Sequence, residues 1–384
     1  MWLTLKIAVI SRGWWPSIKG GSEKFAVKVS TGLYVRGHEV IGITRWIHGF
    51  PRPDAPHKLI IMKERKIWPL LSSFRFSLWA SEVANKLDVD MVLVNSYWGE
   101  ISPLYIRKPC IAIVHDVGFL EPVTNAYIGF WRLKTKILSR LVRKHVLAKV
   151  LEQVDAIIVP TKLVRNKILT FFNVDSSKVY VLGFEGVEGP FEKIHIKNRW
   201  FDIVCIGRFA PNKGQLILLE AFHKLSKKLP NIRLWLIGSH GIGYELYLSK
   251  VMSIAKQINA ELGDKRVYVI VNAPEIDWYY KIADICVFPS LGEEGYGLAI
   301  LEAMAYGKPV VCSDIFAETG IATLDRALIV PRGDVKALAN AIIKLYYDPK
   351  LREVLSRKGL EYAKTCRWDK VVERIEGILL NIIG

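Results

Sequence analysis

The stretch from Phe288 to Val311 places one carboxylate where the neighbouring residues predict a buried segment. Apolar residues ending at Phe288 predict a strand, and good helix formers after Gly297 predict a helix over Leu298–Tyr306. Glu302 is the only charged residue in that predicted helix. Since a buried carboxylate requires a partner, we expect Glu302 to bind another group. The amides at Gly297 and Leu298 open the helix and are suited to binding a phosphate.

Two cations follow the first apolar run of the second half of the chain. Arg208 and Lys213 stand five residues apart in a turn that begins at Gly207 and precedes a predicted helix. A guanidinium and an ammonium at this distance suit a diphosphate, whose charge is spread over several oxygens. Two cations in a solvated loop, without any ligand, are an equal alternative.

Two further groups follow predicted strands in the first half of the chain. Gly20 and Gly21 come between strand one and a helix, where glycines allow a ligand to approach the backbone and a helix N-terminus attracts an anion. His115 follows the strand Cys110–Val114, where it could donate a hydrogen bond to a substrate or transfer a proton. A plain strand–helix turn and a structural histidine beside Asp116 are the alternatives.

Apolar strands alternate with helical segments twice along the chain. The first series ends near Leu182, a polar interval follows at residues 186–200, and the second series begins at Phe201. This alternation predicts an α/β protein with two doubly wound parallel sheets, whose ligands bind at the carboxyl ends of the strands. At 384 residues, two domains are expected.

The net charge of +17 is concentrated in the first half of the chain. Residues 1–150 contain 23 Lys and Arg against 10 Asp and Glu, and residues 131–150 contain seven basic residues and no acid. Apolar residues in 131–150 recur at helical spacing, which is typical of a helix on an anionic membrane surface. An amphipathic helix packed on a sheet is the alternative. A nucleic-acid-binding protein would also be basic, but no helix-turn-helix, zinc or RNA-binding signature is present.

Cysteine usage and hydropathy favour a cytosolic chain. The five cysteines are scattered, four of them in apolar runs, and no zinc-type pairing occurs. No apolar run reaches the ~18 residues of a membrane span, and residues 1–10 are predicted to form a strand instead of a signal peptide. We therefore expect buried, reduced thiols and a cytoplasmic protein, peripheral on the inner face of the cell membrane if the basic helix binds lipid.

Several ordered motifs resemble the retaining family-4 glycosyltransferases of the GT-B fold. The resemblance spans nearly the whole chain and rests on the following segments: Lys19-Gly20-Gly21, Arg36-Gly37-His38, His115-Asp116, Gly207-Arg208 with Lys213-Gly214, Glu294-Gly295-Tyr296-Gly297 through Glu302, and Val330–Asp334. The seven residues between Glu294 and Glu302 match the paired-glutamate spacing of that family. The resemblance implies two Rossmann-like domains facing a central cleft.

The resemblance also implies site residues. His115 would contact the transferred sugar, Arg208 and Lys213 would neutralise the leaving diphosphate, and Glu294 would hold sugar hydroxyls. Glu302 would accept hydrogen bonds from the ribose. The remaining donor-binding residues implied are Gly20, Gly21, Gly207, Tyr296, Gly297 and Leu298. No cofactor, essential metal or protein nucleophile is implied; the donor would be a UDP-, GDP- or ADP-sugar.

The resemblance assigns the two halves different partners. Residues 1–190 would bind the acceptor, a glycan or a lipid-linked molecule, and residues 191–365 the nucleotide sugar, with residues 366–384 forming a helix that packs back on the first domain. An epimerase or phosphorylase on the same fold is an alternative. A metal-dependent transferase would use an Asp-x-Asp site, but Asp88-Val89-Asp90 precedes a strand and is interpreted as a turn.

The chain departs from the family pattern in two places. Phe316-Ala317 stands where a Gly-Gly pair is common, beside the nucleotide loop, and Gly183–Glu188 replaces a Pro-Asn-Gly-Val-Asp run before the linker.

Overall fold

The computed structural model describes residues 3–14, 21–49, 51–64, 69–96, 100–115, 117, 130–183, 186–196, 198–239, 244–292 and 296–383, with backbone alone at 47, 69–71, 96 and 130–140. The chain divides into two compact units. Of the described residues, the first unit contains those up to Gly186 and those from Trp368 onward, and the second contains Val187–Arg367.

The first unit is built on a parallel sheet. Its described strands are β1 (Lys6–Ile10), β2 (Glu39–Ile47), β3 (Lys58–Glu64), β4 (Met91–Ser96), β5 (Cys110–Val114), β6 (Ala156–Val159) and β7 (Val179–Val181), in the order β3-β2-β1-β4-β5-β6-β7. The inner strand β1 pairs in parallel with β2 and β4, placing Ile7 beside Val40 and Met91. Both faces of the sheet are buried, which explains why its inner strands are apolar without alternation.

Helices connect the strands of the first unit. They are α1 (Gly21–Val35), α2 (Pro69–Lys86), α3 (Phe130–Gln153) and α4 (Lys162–Phe171). Thr161 caps α4, its side chain accepting a hydrogen bond of 3.2 Å from the amide of Val164. The basic helix predicted at residues 131–150 is therefore present and is part of α3.

The second unit repeats the architecture. Its described strands are β8 (Phe201–Ile206), β9 (Ile232–Gly238), β10 (Val267–Val271), β11 (Ile285–Phe288), β12 (Val310–Ser313) and β13 (Ala327–Val330), parallel in the order β10-β9-β8-β11-β12-β13. Its helices are α5 (Gln215–Ser226), α6 (Glu245–Leu262), α7 (Ile276–Ile282), α8 (Leu298–Ala305), α9 (Ile315–Glu318), α10 (Val335–Tyr347) and α11 (Pro349–Thr365). The predicted α/β class with two doubly wound parallel sheets is thus confirmed.

The last helix, α12 (Trp368–Ile383), packs on α1 in the first unit. A β-carbon at Gly32 would lie 2.3 Å from Cγ2 of Val372, so the two helices approach closely at that glycine. Beside this contact, Glu376 accepts hydrogen bonds from Nε of Arg36 at 2.7 Å and from Nε2 of His38 at 2.8 Å. Although burial alone would raise it, the pKa of Glu376 is lowered by these hydrogen bonds.

Several elements differ from the sequence-based expectation. Strand β3 and helix α4 were not among the predicted elements. Strand β3, with the sequence KLIIMKE, lies at the edge of its sheet, and most of its residues are partly exposed. Its four apolar residues at 59–62 are a strand signal that the sequence reasoning missed. All five cysteines are buried and none forms a disulfide, as expected. Within the described ranges, no helix combines the length and apolarity needed to cross a bilayer.

Candidate functional site

Two loops at the carboxyl end of the second sheet pack tightly against each other. One follows β8 and contains Asn212 and Gly214; the other follows β11 and contains Pro289 and Leu291. The amide of Leu291 donates to the carbonyl of Asn212 at 2.7 Å, and a β-carbon at Gly214 would lie 1.9 Å from the carbonyl oxygen of Pro289. The segment carrying the two cations is thereby fixed beside the segment that leads to α8.

The first of these loops presents Arg208 and Lys213. Arg208 directly follows the turn residue Gly207 and is exposed, and its carbonyl accepts a hydrogen bond of 3.0 Å from Nε2 of Gln215. Lys213 ends a single 3₁₀ turn, Pro211–Lys213, and its stem passes over Gly207, with Cδ 3.9 Å from where a β-carbon would be. Both cations are therefore carried by one short loop, as binding of a single diphosphate would require.

The second loop leads to the N-terminus of α8. Gly297 has φ +95°, and a β-carbon there would lie 2.8 Å from Cε1 of Phe316. Only glycine suits both this backbone conformation and this contact. Leu298 begins the helix, whose first turn closes through the amide of Ile300 on the carbonyl of Gly297 at 2.9 Å. The helix N-terminus therefore lies at the same end of the sheet as the cation loop, and it provides the positive end of a helix dipole.

Glu302 lies one turn into α8 and is half-buried. The hydroxyl of Tyr280, on α7, donates to Oε2 of Glu302 at 2.9 Å. Tyr280 is 1% exposed, and burial, followed by the nearby Glu302 carboxylate, raises its pKa well above its ordinary value. The phenol is therefore a neutral hydrogen-bond donor. The requirement that Glu302 have a partner is met at least in part inside the protein, which the sequence reasoning missed.

Tyr296 does not direct its side chain to a ligand. It is 3% exposed, and its hydroxyl lies 2.8 Å from the hydroxyl of Tyr362, on α11. The Arg326 guanidinium lies 3.8 Å above the Tyr362 ring. Burial raises the pKa of Tyr296 above its ordinary value. Donor binding by Tyr296 stays a prediction, and it would fall to the backbone of this residue because the ring belongs to the core.

The first unit brings His115 and the start of α1 together at the carboxyl end of its own sheet. Asn95 donates from Nδ2 to Oγ of Ser11 at 3.1 Å and to the carbonyl of Ser22 at 3.0 Å, next to Gly21. Its Oδ1 is therefore an acceptor, and Nε2 of His115, at 2.8 Å, donates to it. Asn95 was not predicted. The feature that could have revealed it is a buried amide side chain near the end of β4.

Packing and hydrogen bonding together orient the His115 ring. The Phe25 ring meets it edge-on, with centroids 4.9 Å apart. The ring of His115 is therefore held in one orientation, and its Nε2 proton is used in the hydrogen bond to Asn95. Glu294 and Gly20, together with Asp116, lie outside the described residues.

The two aspartates of the Asp-x-Asp string lie at the amino ends of the strands of the first sheet, just before β4. Asp90 accepts a hydrogen bond of 2.7 Å from the amide of Lys6, and Asp88 forms an ion pair with the Lys6 ammonium. Both carboxylates serve a strand-entry turn, which confirms the interpretation of this segment as a turn.

Two family models match successive parts of the chain. One, described as Glycosyltransferase Family 4, matches residues 19–183, and the other, described as Glycosyl transferases group 1, matches residues 190–362. Between them they cover both units and all the candidate residues named above.

Individual relatives agree with the family models. A capsular polysaccharide biosynthesis glycosyltransferase, CapM of Staphylococcus aureus, is 28% identical over 217 residues, which are 53% of this chain and 55% of that protein. A phosphatidyl-myo-inositol mannosyltransferase of Mycolicibacterium smegmatis is 28% identical over 184 residues, which are 47% of this chain and 45% of that protein. The chain thus spans about half the length of these two relatives.

Among solved structures, HepE of Anabaena in complex with UDP and glucose superposes with a TM-score of 0.75, at 15% identity, over 98% of this chain and 99% of that one. At such low identity the likeness establishes the fold, which is shared over both units.

Proposed function

Because this chain belongs to the family-4 glycosyltransferases and has the GT-B fold, we propose that it transfers a sugar from a nucleotide-sugar donor to a glycan or lipid-linked acceptor. We further propose that transfer retains the anomeric configuration and needs no essential metal. The second unit would bind the donor and the first the acceptor.

One observation carries the proposal: the contact of Gly214 with Pro289 holds the loop of Arg208 and Lys213 beside the segment that leads to α8, the helix of Glu302. Arg208 and Lys213 suit the two phosphates of the donor, and the amides at the start of α8 suit a phosphate oxygen. Glu302 suits the ribose hydroxyls, since an ionised carboxylate only accepts hydrogen bonds. These groups match the diphosphate and the ribose of a nucleotide sugar.

The proposed chemistry breaks the bond between the anomeric carbon and the phosphate oxygen. The departing diphosphate gains negative charge, which Arg208 and Lys213 stabilise more strongly in the transition state than in the bound donor. The acceptor hydroxyl forms the new bond on the face that the phosphate leaves, and its proton passes to the departing phosphate oxygen. Retention follows without a protein nucleophile. His115 would contact the sugar, and Glu294 would hold its hydroxyls.

The basic helix supports a membrane-bound acceptor. In the part of α3 with described side chains, Leu141 is 60% exposed and Val142 55% exposed, beside Lys144 and Lys149. Exposed apolar residues next to cations are what an anionic membrane surface attracts, each nearby basic residue contributing about 1 kcal/mol. The similarity to a phosphatidyl-myo-inositol mannosyltransferase is consistent with a lipid-linked acceptor.

A turnover assay tests the proposed reaction. The purified protein is given UDP-, GDP- and ADP-sugars with and without a lipid or glycan extract, and free nucleotide and the anomeric configuration of the product are measured by NMR. We expect nucleotide release to depend on the acceptor, to persist in EDTA and to give a retained linkage. A new nucleotide sugar formed without acceptor would identify an epimerase, and sugar phosphate formed only with inorganic phosphate would identify a phosphorylase.

Vesicle sedimentation tests the membrane surface separately. We expect the protein to sediment with anionic vesicles more than with neutral ones, and Leu141→Ser with Val142→Ser to weaken this about tenfold. Leu246→Ser with Met252→Ser, at positions 79% and 50% exposed on α6 of the second unit, is the matched control. Equal sedimentation with both vesicle types, or equal loss in the control, would overturn the assignment.

A further inference from the structure

Tyr280, on α7, contacts two residues of α8, the helix proposed to bind the donor. Its hydroxyl lies 2.9 Å from Oε2 of Glu302 and 3.2 Å from the carbonyl oxygen of Ala299, both on α8. Ala299 and Glu302 are three residues apart, so they lie on the same face of the helix. One phenol on α7 therefore contacts the first turn of α8 and the carboxylate that follows it.

The hydroxyl is not required for packing. The Tyr280 ring stacks on the Tyr306 ring, with centroids 5.2 Å apart and planes 20° apart, and a phenylalanine ring would make the same stack. A buried hydroxyl, by contrast, loses its water and must be given a partner. The hydroxyl therefore contributes something other than packing, and its shortest contact is the one with Glu302.

A hydrogen bond to one carboxylate oxygen limits the rotation of the whole group. Glutamate has three side-chain torsions, and a ligand that must order them loses affinity. With Oε2 held by Tyr280, the Glu302 side chain is ordered before any ligand binds. A carboxylate retains accepting capacity beyond one such bond, so the same group can still receive hydroxyl donors.

We infer that Tyr280 is a positioning residue that presets Glu302 to accept hydrogen bonds from the ribose hydroxyls of the nucleotide, and so favours ribonucleotide over deoxyribonucleotide donors. This inference rests on the proposed function, since it needs a nucleotide at α8. It adds a residue on α7, outside the paired-glutamate motif, to the donor site.

The test compares ribose-dependent binding in Tyr280→Phe and Tyr306→Phe. Tyr306→Phe is the control, because it removes a phenol hydroxyl from the other ring of the stack. Calorimetry measures the Kd of the preferred nucleoside diphosphate and of its 2′,3′-dideoxy analogue for each protein, and kinetics measures KM and kcat for the matching sugar donor.

We expect Tyr280→Phe to weaken binding of the ribonucleotide about tenfold and to leave binding of the dideoxy analogue within about twofold of wild type. KM for the donor should rise in parallel while kcat changes little, because the contact is made in both ground and transition states. Tyr306→Phe should keep the wild-type preference for ribose. The ratio of the two Kd values is taken within each variant, so a partly unfolded sample does not distort it.

Two outcomes would overturn the inference alone: an unchanged ribose preference in Tyr280→Phe, or an equal loss for both nucleotides, which would indicate a purely structural tyrosine. If the wild-type protein binds none of UDP, GDP and ADP and turns over no nucleotide sugar, the proposed function fails, and the inference fails with it.

Discussion

Gly214 lies against Pro289 so closely that a β-carbon at Gly214 would be 1.9 Å from the carbonyl oxygen of Pro289. Gly214 also has φ +70°, and it both ends the turn of Lys213 and precedes α5. The position of the cation loop beside the segment that leads to α8 thus depends on a residue without a side chain.

Gly214→Ala should destabilise the second unit by about 3 kcal/mol, from about 1 kcal/mol of left-handed backbone strain and about 2 kcal/mol of displacement of Pro289. Gly263→Ala is the matched control, because Gly263 has φ +64° with no atom within 4 Å of the added carbon. Its expected cost is about 1 kcal/mol. Urea unfolding of both variants measures the difference; equal costs would show that the contact with Pro289 is easily relaxed.

Gly297→Ala should weaken donor binding, because φ +95° and the Phe316 ring 2.8 Å away both oppose a β-carbon at the start of α8. We expect KM for the donor to rise at least tenfold. Phe316→Ala in the same protein should recover part of the loss by removing the clash but not the backbone strain. Gly320→Ala, with φ +81° and open space around it, is the control and should leave KM within about twofold of wild type. A double variant no better than Gly297→Ala would contradict the assigned contact.

Lys308 gives the second unit a distinctive pH dependence. It is 2% exposed, and its ammonium donates to the carbonyls of Lys281 at 3.1 Å and Ala283 at 2.9 Å. Burial lowers the pKa of Lys308 from 10.5 to about 8. Between these values the unfolded chain binds more protons than the folded one, so this residue makes stability rise with pH.

Compared with Lys308→Met, the wild-type free energy of unfolding should therefore gain up to about 3 kcal/mol between pH 8 and pH 10.5. Buried cysteines and tyrosines whose pKa values are raised by burial and do not depend on Lys308, such as Cys312 and Tyr362, act in the opposite direction, and the difference between the two proteins cancels their contributions. Urea unfolding at a series of pH values measures the gain. For Lys344→Met, a substitution at an exposed position, the free energy of unfolding should depend on pH as it does in wild type. The same pH dependence in Lys308→Met and wild type would refute the account.

The sequence predicted the architecture because alternating apolar runs specify a parallel α/β sheet locally. Helix α6 (Glu245–Leu262) is an example, since its amphipathic pattern and its terminal Gly263 are both visible in the sequence. Strand β3 was missed although its residues 59–62 are all apolar, because four apolar residues between charged ones do not by themselves distinguish a strand from another buried segment.

The candidate site was predictable to the level of motifs but not of side-chain direction. The loops of Arg208, Lys213 and Gly297 follow strand ends, and parallel strands bring their carboxyl ends to one edge. The inward turn of Tyr296 and the pairing of Tyr280 with Glu302 could not be predicted, because each depends on a contact between residues far apart in sequence. Asn95 was missed for the same reason: its partners Ser11 and His115 lie on neighbouring strand ends.

The central claim is that the loop of Arg208 and Lys213 holds the diphosphate of a nucleotide-sugar donor. Calorimetric titration with UDP, GDP and ADP tests this claim most directly. The proteins are wild type, Lys213→Ala, Arg208→Ala, and Lys228→Ala as an exposed cationic control on the same unit. We predict that wild type and Lys228→Ala bind one of the three nucleotides alike, and that each loop variant binds it at least tenfold more weakly, since a charge-assisted hydrogen bond contributes about 1.5–3 kcal/mol. Binding of that nucleotide with wild-type affinity by both loop variants would contradict the claim.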